Sequence, residues 1–335
     1  MLNDYGPGWP KSLRRMTKCK IYALLCDLVF GPSLRLLFHR SWSIHTYMGM
    51  AIETTVSPRE RILGALDKLP PFSPVLTRLL ATLADEDVSF GELAGIIETD
   101  AVLAGNLLRV VNSPLYGRMS AINSVRHAVS ILGSIKIRNL VLGLSVSRRW
   151  AQSRVPPGWK SPQFNAHSLA VAVLSDLIAL ETPVPYPEGA FTSGLLHDVG
   201  KLLIAVAMPE QFEALHKAYE MGGDSADDCE WSVLGVTHAE ISGAIMKKWK
   251  LPEPIQQGVE FHHSSDEADH GKLHLAHVVE AADHYVNSFG LGMPFYRRHP
   301  VIAFDDCERR FGLKECTLKV AETFKTEFEA VRTFF

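Results

Sequence analysis

The chain has 335 residues, 47% hydrophobic and 21% charged, a composition that excludes a disordered chain and supplies ample material for a buried core. Its formal net charge of −3 provides no bulk attraction to nucleic acid or to an anionic membrane. Five cysteines (Cys19, Cys26, Cys229, Cys307 and Cys316) are odd in number and never spaced C-x-x-C, which argues against a disulfide framework or a cysteine zinc site and fits a reducing cytoplasm.

Near the N-terminus the basic run KSLRRMTKCK leads into IYALLCDLVFGPSLRLLF, which Asp27, Gly31, Pro32 and Arg35 interrupt. The segment is too short and broken to span a bilayer, and no small-residue cleavage site follows it. Residues 1–55 read as a poorly ordered extension, with Met48 and Met50 as further candidate starts of translation.

From residue 57 the sequence reads as consecutive helices. Ser57-Pro58 and Ser73-Pro74 each place a capping hydroxyl ahead of a first-turn proline. Ser89 with Glu92 has the spacing of a capping box. AVLAGNLLRVVN ends at the turn Asn112-Ser113, NSVRHAVSILG ends at Gly133, and residues 134–152 continue with helical spacing. The prolines and glycine of RVPPGWKSPQ, 154–163, mark a boundary, dividing the helical region into an N-terminal subdomain over 56–155 and a core over 156–335. Further helices are expected near 164–181, 188–207, 210–221, 237–250, 253–263, 272–289 and 315–333. With no alternating strand of useful length, the expected fold is all-α, a five- or six-helix bundle packed against a second helical unit.

Helical spacing places several polar residues on apolar faces. Asp283 aligns with Leu275, Val279 and Val286, and Asp198 aligns with Phe191, Leu195 and Leu202. A lone carboxylate in such a place costs several kcal/mol or neutralises itself, so each needs a cation. His167 shares a face with Val171, Leu174 and Ile178, and His238 with Ile241, Ile245 and Trp249. His262 follows Ile255 and Val259 with His263 beside it, and His197 precedes Asp198. Any one of these histidines alone reads as a hydrogen-bonded core residue. Together, five histidines and two carboxylates from five helices suit a divalent transition metal such as iron, manganese, zinc or nickel. His39, His45, His127, His216, His270, His274 and His299 read as surface or local packing. His277, His284 and Glu280 are expected on the solvent-facing side of the Asp283 helix.

The order His167, His197-Asp198, Asp283 resembles the H…HD…D ligand series of the HD superfamily of metal-dependent phosphohydrolases. His238 and His262-His263 resemble the additional ligands of its HD-GYP branch, which holds two or more metals. That resemblance implies a bridging Asp198, with His167, His197 and Asp283 on one ion and His238, His262 and His263 on the other. It also implies that Lys201, in HDVGK, approaches a substrate phosphate; otherwise Lys201 reads as a solvated helix lysine. The fuller resemblance, over about residues 58–290, is to the HDOD family, the HD-related output domains. It is carried by LPPFSPVLTRLLATLAD, LAGIIETDAVLAGNLLRVVNSPLYG, AVSILGSIKIRNLVLGLSV, AFTSGLLHDVGKLL, THAEISGAIMKKWKLPEPI and EFHH.

Three departures stand out. Ala101 follows Asp100 where the family usually has proline, SSDEADHGK follows His263 with no GYP segment, and Gln163 stands where a third-metal glutamate would be. The resemblance implies a cytoplasmic signalling module with an HD-like core and one or two metal ions, acting through protein partners and without a nucleic-acid partner. The alternative it implies is a metal-dependent phosphohydrolase acting on a phosphate ester or nucleotide, with Asp198 and Lys201 as catalytic residues. The missing GYP segment and Gln163 argue against efficient hydrolysis of cyclic di-GMP.

Overall fold

A serine hydroxyl and a proline start each of the first two helices. In a computed structural model the Ser57 hydroxyl accepts from the Glu60 N–H at 3.1 Å, while the Glu60 carboxylate accepts from the Ser57 N–H at 2.9 Å. These reciprocal bonds open α1 (Pro58–Gly64), and Ser73 caps α2 (Pro74–Ala81) by accepting from the Leu76 N–H. The structure describes residues 57–334 apart from 70–71, 85–87, 114–115, 117–120, 221–224, 269–271 and 294–316. The extension expected over 1–55 lies outside the described residues.

Four more helices complete the first half: α3 (Phe90–Glu98), α4 (Ala101–Val111), α5 (Val125–Leu132) and α6 (Ser134–Ala151). Ser89 caps α3 by accepting from the Glu92 N–H at 3.1 Å. Asp100 caps α4 by accepting from the N–H groups of Val102 and Leu103, both at 3.0 Å. The second half runs α7 (Ser161–Glu181), α8 (Ala190–Leu196), α9 (Val199–Ala207), α10 (Pro209–Glu220), α11 (Ala226–Leu234), α12 (His238–Lys248), α13 (Glu253–Glu260), α14 (Leu275–Ser288) and α15 (Thr317–Val331). The fold is all-helical, and among the described residues there is no strand.

Burial explains the arrangement. α7 is buried on every side, with residues from Phe164 to Ala179 covered almost without interruption, and it packs on α6, α8, α14 and α15. Both α7 and the segment Pro187–Ala207 are long and apolar enough to cross a membrane, yet 72% and 89% of their apolar windows are covered by the rest of the fold. The Pro-rich connection 154–163 is anchored at one point: the Trp159 ring lies 4.9 Å from Phe164 and 5.9 Å from Phe212. Residues 56–335 form one compact unit.

The elements differ from expectation in four places. α11 was not expected, because Glu230 interrupts the apolar stripe of Ala226, Cys229 and Leu234 in ADDCEWSVL; Ser225 caps it and Gly235, at φ 69°, ends it. The helix expected over 188–207 breaks at His197-Asp198, where Asp198 takes φ −97° and ψ 7°. The helix expected to reach 263 ends at Glu260, leaving His262 and His263 in the following turn. His277 and His284 do not face solvent: they are 6% and 8% exposed. α14 is enclosed on that side too, His277 lying 3.6 Å from Asp266 and Glu280 accepting from the Ser265 hydroxyl.

Candidate metal centre

All the sequence-predicted ligands meet in the second half of the fold. The ligand-bearing helices α7, α12 and α14 are brought together by the α8–α9 break, which turns His197 and Asp198 into their midst. Close approach of α9 to α12 is permitted by Gly200: a Cβ there would fall well inside van der Waals contact of the His238 carbonyl oxygen, and the Gly200 N–H donates to Ser242 Oγ at 2.8 Å. His197, Asp198, His238 and His262 are 0% exposed, His167 is 2%, and Lys201 and Asp283 are 3%. His263 is partly buried at the rim.

Asp198 divides the cluster. Its Oδ2 lies 3.5 Å from His167 Nε2 and 3.4 Å from His197 Nε2, while its Oδ1 lies 3.3 Å from His238 Nε2 and 3.9 Å from His262 Nε2. Asp283 Oδ1 joins the first side, 3.1 Å from His167 Nε2 and 3.8 Å from His197 Nε2. On the second side His263 Nε2 is 3.1 Å from His238 Nε2. The ligand atoms of His167, His197 and Asp198 lie within 4.8 Å of one another, as do those of His238, His262 and His263.

Backbone and side-chain acceptors aim the rings. His197 Nδ1 faces the Gly194 carbonyl at 2.8 Å, and His262 Nδ1 faces the Val259 carbonyl at 2.6 Å. A carbonyl can only accept, so Nδ1 carries the proton in both rings and Nε2 presents a lone pair inward. Both imidazoles are held below their ordinary value of 6.5, first by burial and then, at His262, by the neighbouring His197 and His238. His197 Nε2 and His262 Nε2 are shielded from solvent and neither has a hydrogen-bond partner, while Asp198 Oδ1, equally shielded, has His238 Nε2 3.3 Å away. Two inward imidazole acceptors left without donors beside a buried carboxylate are rare in a folded interior. They fit a divalent cation, whose ligands are a carboxylate oxygen and neutral imidazole nitrogens.

The charged groups respond to one another. Burial alone would press His167 and His238 downward. The Asp198 and Asp283 carboxylates outweigh it at His167, and Glu230 with Asp198 outweighs it at His238, so each is lifted to about 9. Asp198 and Asp283 are held well below the usual carboxylate range despite burial, Asp198 chiefly by His197 and Lys201 and Asp283 chiefly by His167. Lys201, the expected phosphate-facing residue, is not solvated: it is buried, and its Nζ donates to Asp198 Oδ2 at 2.7 Å. Gln163, one turn before His167, is exposed.

Two contributors escaped the sequence reading. Glu230, 0% exposed on α11, accepts from the His238 N–H at 2.6 Å, and its carboxylate faces His238 Nδ1 at 2.7 Å. It thereby turns Nε2 toward Asp198. Asn287, one turn after Asp283, donates to the Asp283 backbone oxygen and to its Oδ1, both at 2.8 Å. The available signals were Glu230's place in the acidic run DDCE ahead of THAE, and Asn287's i+4 spacing from Asp283.

Comparison with known proteins settles the lineage. Residues 69–265 match the model of the HDOD domain, a stretch that includes every candidate ligand except Asp283. The chain belongs to the HDOD family. Its fold is similar to that of an HDOD domain protein of unknown function from Geobacter sulfurreducens, with a TM-score of 0.72, 25% identity, and 85% of this chain and 99% of that one covered. It is also similar to a candidate phosphohydrolase from Shewanella amazonensis SB2B, with a TM-score of 0.65, 23% identity and 82% and 97% coverage. A candidate signal transduction protein from Marinobacter aquaeolei VT8 shares the fold at a TM-score of 0.62 and 20% identity, over 82% of this chain and 64% of that one. A curated but uncharacterized protein of Treponema pallidum (strain Nichols) is 23% identical over 285 residues, 81% of this chain. The HDOD chain spans about half the length of that relative, 52%.

Proposed function

We propose that this HDOD chain is a regulatory module whose buried HD centre holds one or two divalent transition metal ions and whose output passes through protein contacts. His167, His197 and Asp283 would hold one ion, His238, His262 and His263 the other, and Asp198 would bridge them. The observation that carries the metal reading is the pair of shielded acceptors without donors, His197 Nε2 and His262 Nε2, on either side of the buried Asp198 carboxylate. Regulation is favoured over turnover because His167, His197, Asp198, Lys201, His238, His262 and Asp283 are no more than 3% exposed. An ion fits such an interior, whereas a phosphate ester needs an open approach. The bundle α1–α6 contributes no ligand to the centre, so its surface is free to serve a protein partner.

The second reading is a metal-dependent phosphohydrolase, favoured by the way Asp198 offers one oxygen to each side. Two ions about 3.5–4 Å apart clamp the attacking and leaving oxygens in such enzymes. The test is metal analysis of the full chain purified anaerobically without chelator, with an assay on bis(p-nitrophenyl) phosphate and cyclic di-GMP. Bound metal lost on Asp198→Ala, with no metal-dependent turnover, supports the regulatory reading. Turnover abolished by Asp198→Ala transfers the function to the enzyme. Wild-type protein that stays metal-free after supplementation removes both.

A further inference from the structure

We infer that the two sides of the HD centre load unequally: the His238, His262, His263 side takes the first ion, and Lys201 keeps the other side closed by holding Asp198 Oδ2. The inference rests on the metal reading above and adds an order and a gate to it.

On the closed side both carboxylate oxygens that face His167 are engaged, while His197 Nε2 has no hydrogen-bond partner. Lys201 Nζ donates to Asp198 Oδ2 at 2.7 Å, the oxygen that faces His167 and His197. Asp283 Oδ1 accepts from Asn287 at 2.8 Å and lies 3.1 Å from His167 Nε2. An ion entering here must displace a buried ammonium from its counter-charge, and separating such a pair is costly. The other side is prepared. His262 Nε2 has no hydrogen-bond partner, His262 is fixed by the Val259 carbonyl, Glu230 steadies His238 from behind, and Asp198 Oδ1 has His238 Nε2 3.3 Å away and no lysine on it. The three imidazoles already stand within 4.8 Å of one another through their ligand atoms. Entry on this side separates no lysine ammonium from its counter-charge and has only to open the contact between His238 and His263, whose Nε2 atoms are 3.1 Å apart.

The arrangement couples the two events. An ion on Asp198 Oδ1 draws on the same carboxylate that holds Lys201, and its charge repels the ammonium. The first ion therefore loosens the gate for the second, and two-ion occupancy reports that the ion concentration has passed a higher threshold.

The test is titration of the metal-stripped full chain with Mn²⁺, followed by calorimetry and electron paramagnetic resonance. The wild type should show a tight and a weak event separated by about tenfold or more, the signal of an isolated ion giving way to that of a spin-coupled pair. Asp283→Asn should remove the weak event alone. Lys201→Met should tighten the weak event by roughly five- to a hundredfold, while Lys201→Arg, which keeps the charge, should preserve stepwise loading. Glu230→Gln should weaken the tight event by roughly ten- to a hundredfold. Two ions bound with one affinity by the wild type, or loss of the tight event in Asp283→Asn, would overturn the inference while leaving the metal reading intact. No Mn²⁺ bound by any variant would overturn the inference, and the absence of every divalent transition metal in the metal analysis above would overturn the metal reading with it.

Discussion

The Asn112 carboxamide closes an excursion of the chain between α4 and α5. It donates to the Leu108 carbonyl at 2.7 Å and the Ile122 carbonyl at 2.9 Å, and accepts from the Ile122 N–H at 2.8 Å. From sequence, Asn112 read only as the end of a helix; the partner ten residues on is set by the fold. Asn112→Ala leaves the partly buried Ile122 groups unpaired and should cost about 1–3 kcal/mol in urea denaturation. An unchanged midpoint and slope would mean that water replaces the carboxamide. The same division holds at the centre. Apolar spacing was enough to point Asp198 and His262 inward, but the tautomers of His197 and His262 depend on the Gly194 and Val259 carbonyls, which only the turned backbone brings to Nδ1.

Elements show why the HD dipeptide works as a joint. Periodicity carried straight through FTSGLLHDVGKLLIAV, because both short helices keep their apolar faces toward the same core. The break at Asp198 has no proline to announce it; Lys201 N–H bonding to the Asp198 carbonyl at 2.9 Å marks the tight turn. Gly200 then lets α9 lie against α12. Gly200→Ala should force these helices apart, costing roughly 1–3 kcal/mol or more through overpacking and displacing His238 from Asp198. Thermal unfolding reads the first effect and Mn²⁺ affinity the second. A variant equal to wild type in both would show that the helices can part without disturbing the centre. α11 escaped notice because its polar sequence lacks a wide apolar stripe; its value lies in Glu230, whose partner His238 is on another helix.

Across the whole molecule, the bundle, the central helix and the C-terminal helix meet at a polar junction. Lys136 on α6 pairs with Glu327 on α15 at 2.5 Å, and Asn139 on α6 donates to Asp176 on α7 at 3.2 Å. Tyr116, Lys136, Asn139, Asp176 and Glu327 line a cavity of about 20 Å³, room for one water molecule. Burial outweighs the pull of Lys136 and, with the Glu327 charge, lifts the Asp176 carboxyl from 3.8 to about 6. The folded chain therefore holds more protons than the unfolded one between 3.8 and about 6, so this group's contribution to stability declines as pH rises through that window. Asp176→Asn, which cannot ionise but still accepts from Asn139, should stabilise the chain at pH 8 by up to about 3 kcal/mol and by almost nothing at pH 4. Equal urea midpoint shifts at the two pH values would exclude burial as the source of the effect.

The sequence by itself determined the all-helical class, the serine caps of α1, α2 and α3, and the inward turn of His167, His238, His262, Asp198 and Asp283. Those properties rest on spacing and on hydrogen bonds between residues three or four positions apart, so neighbouring letters contain them. Only the tertiary structure decided that Asp198 offers one oxygen to each side, that Lys201 is buried against it, that Glu230 steadies His238, and that His277 and His284 are covered. Each of those depends on which helices pack together, and a one-dimensional period reports that a face is apolar without saying what covers it.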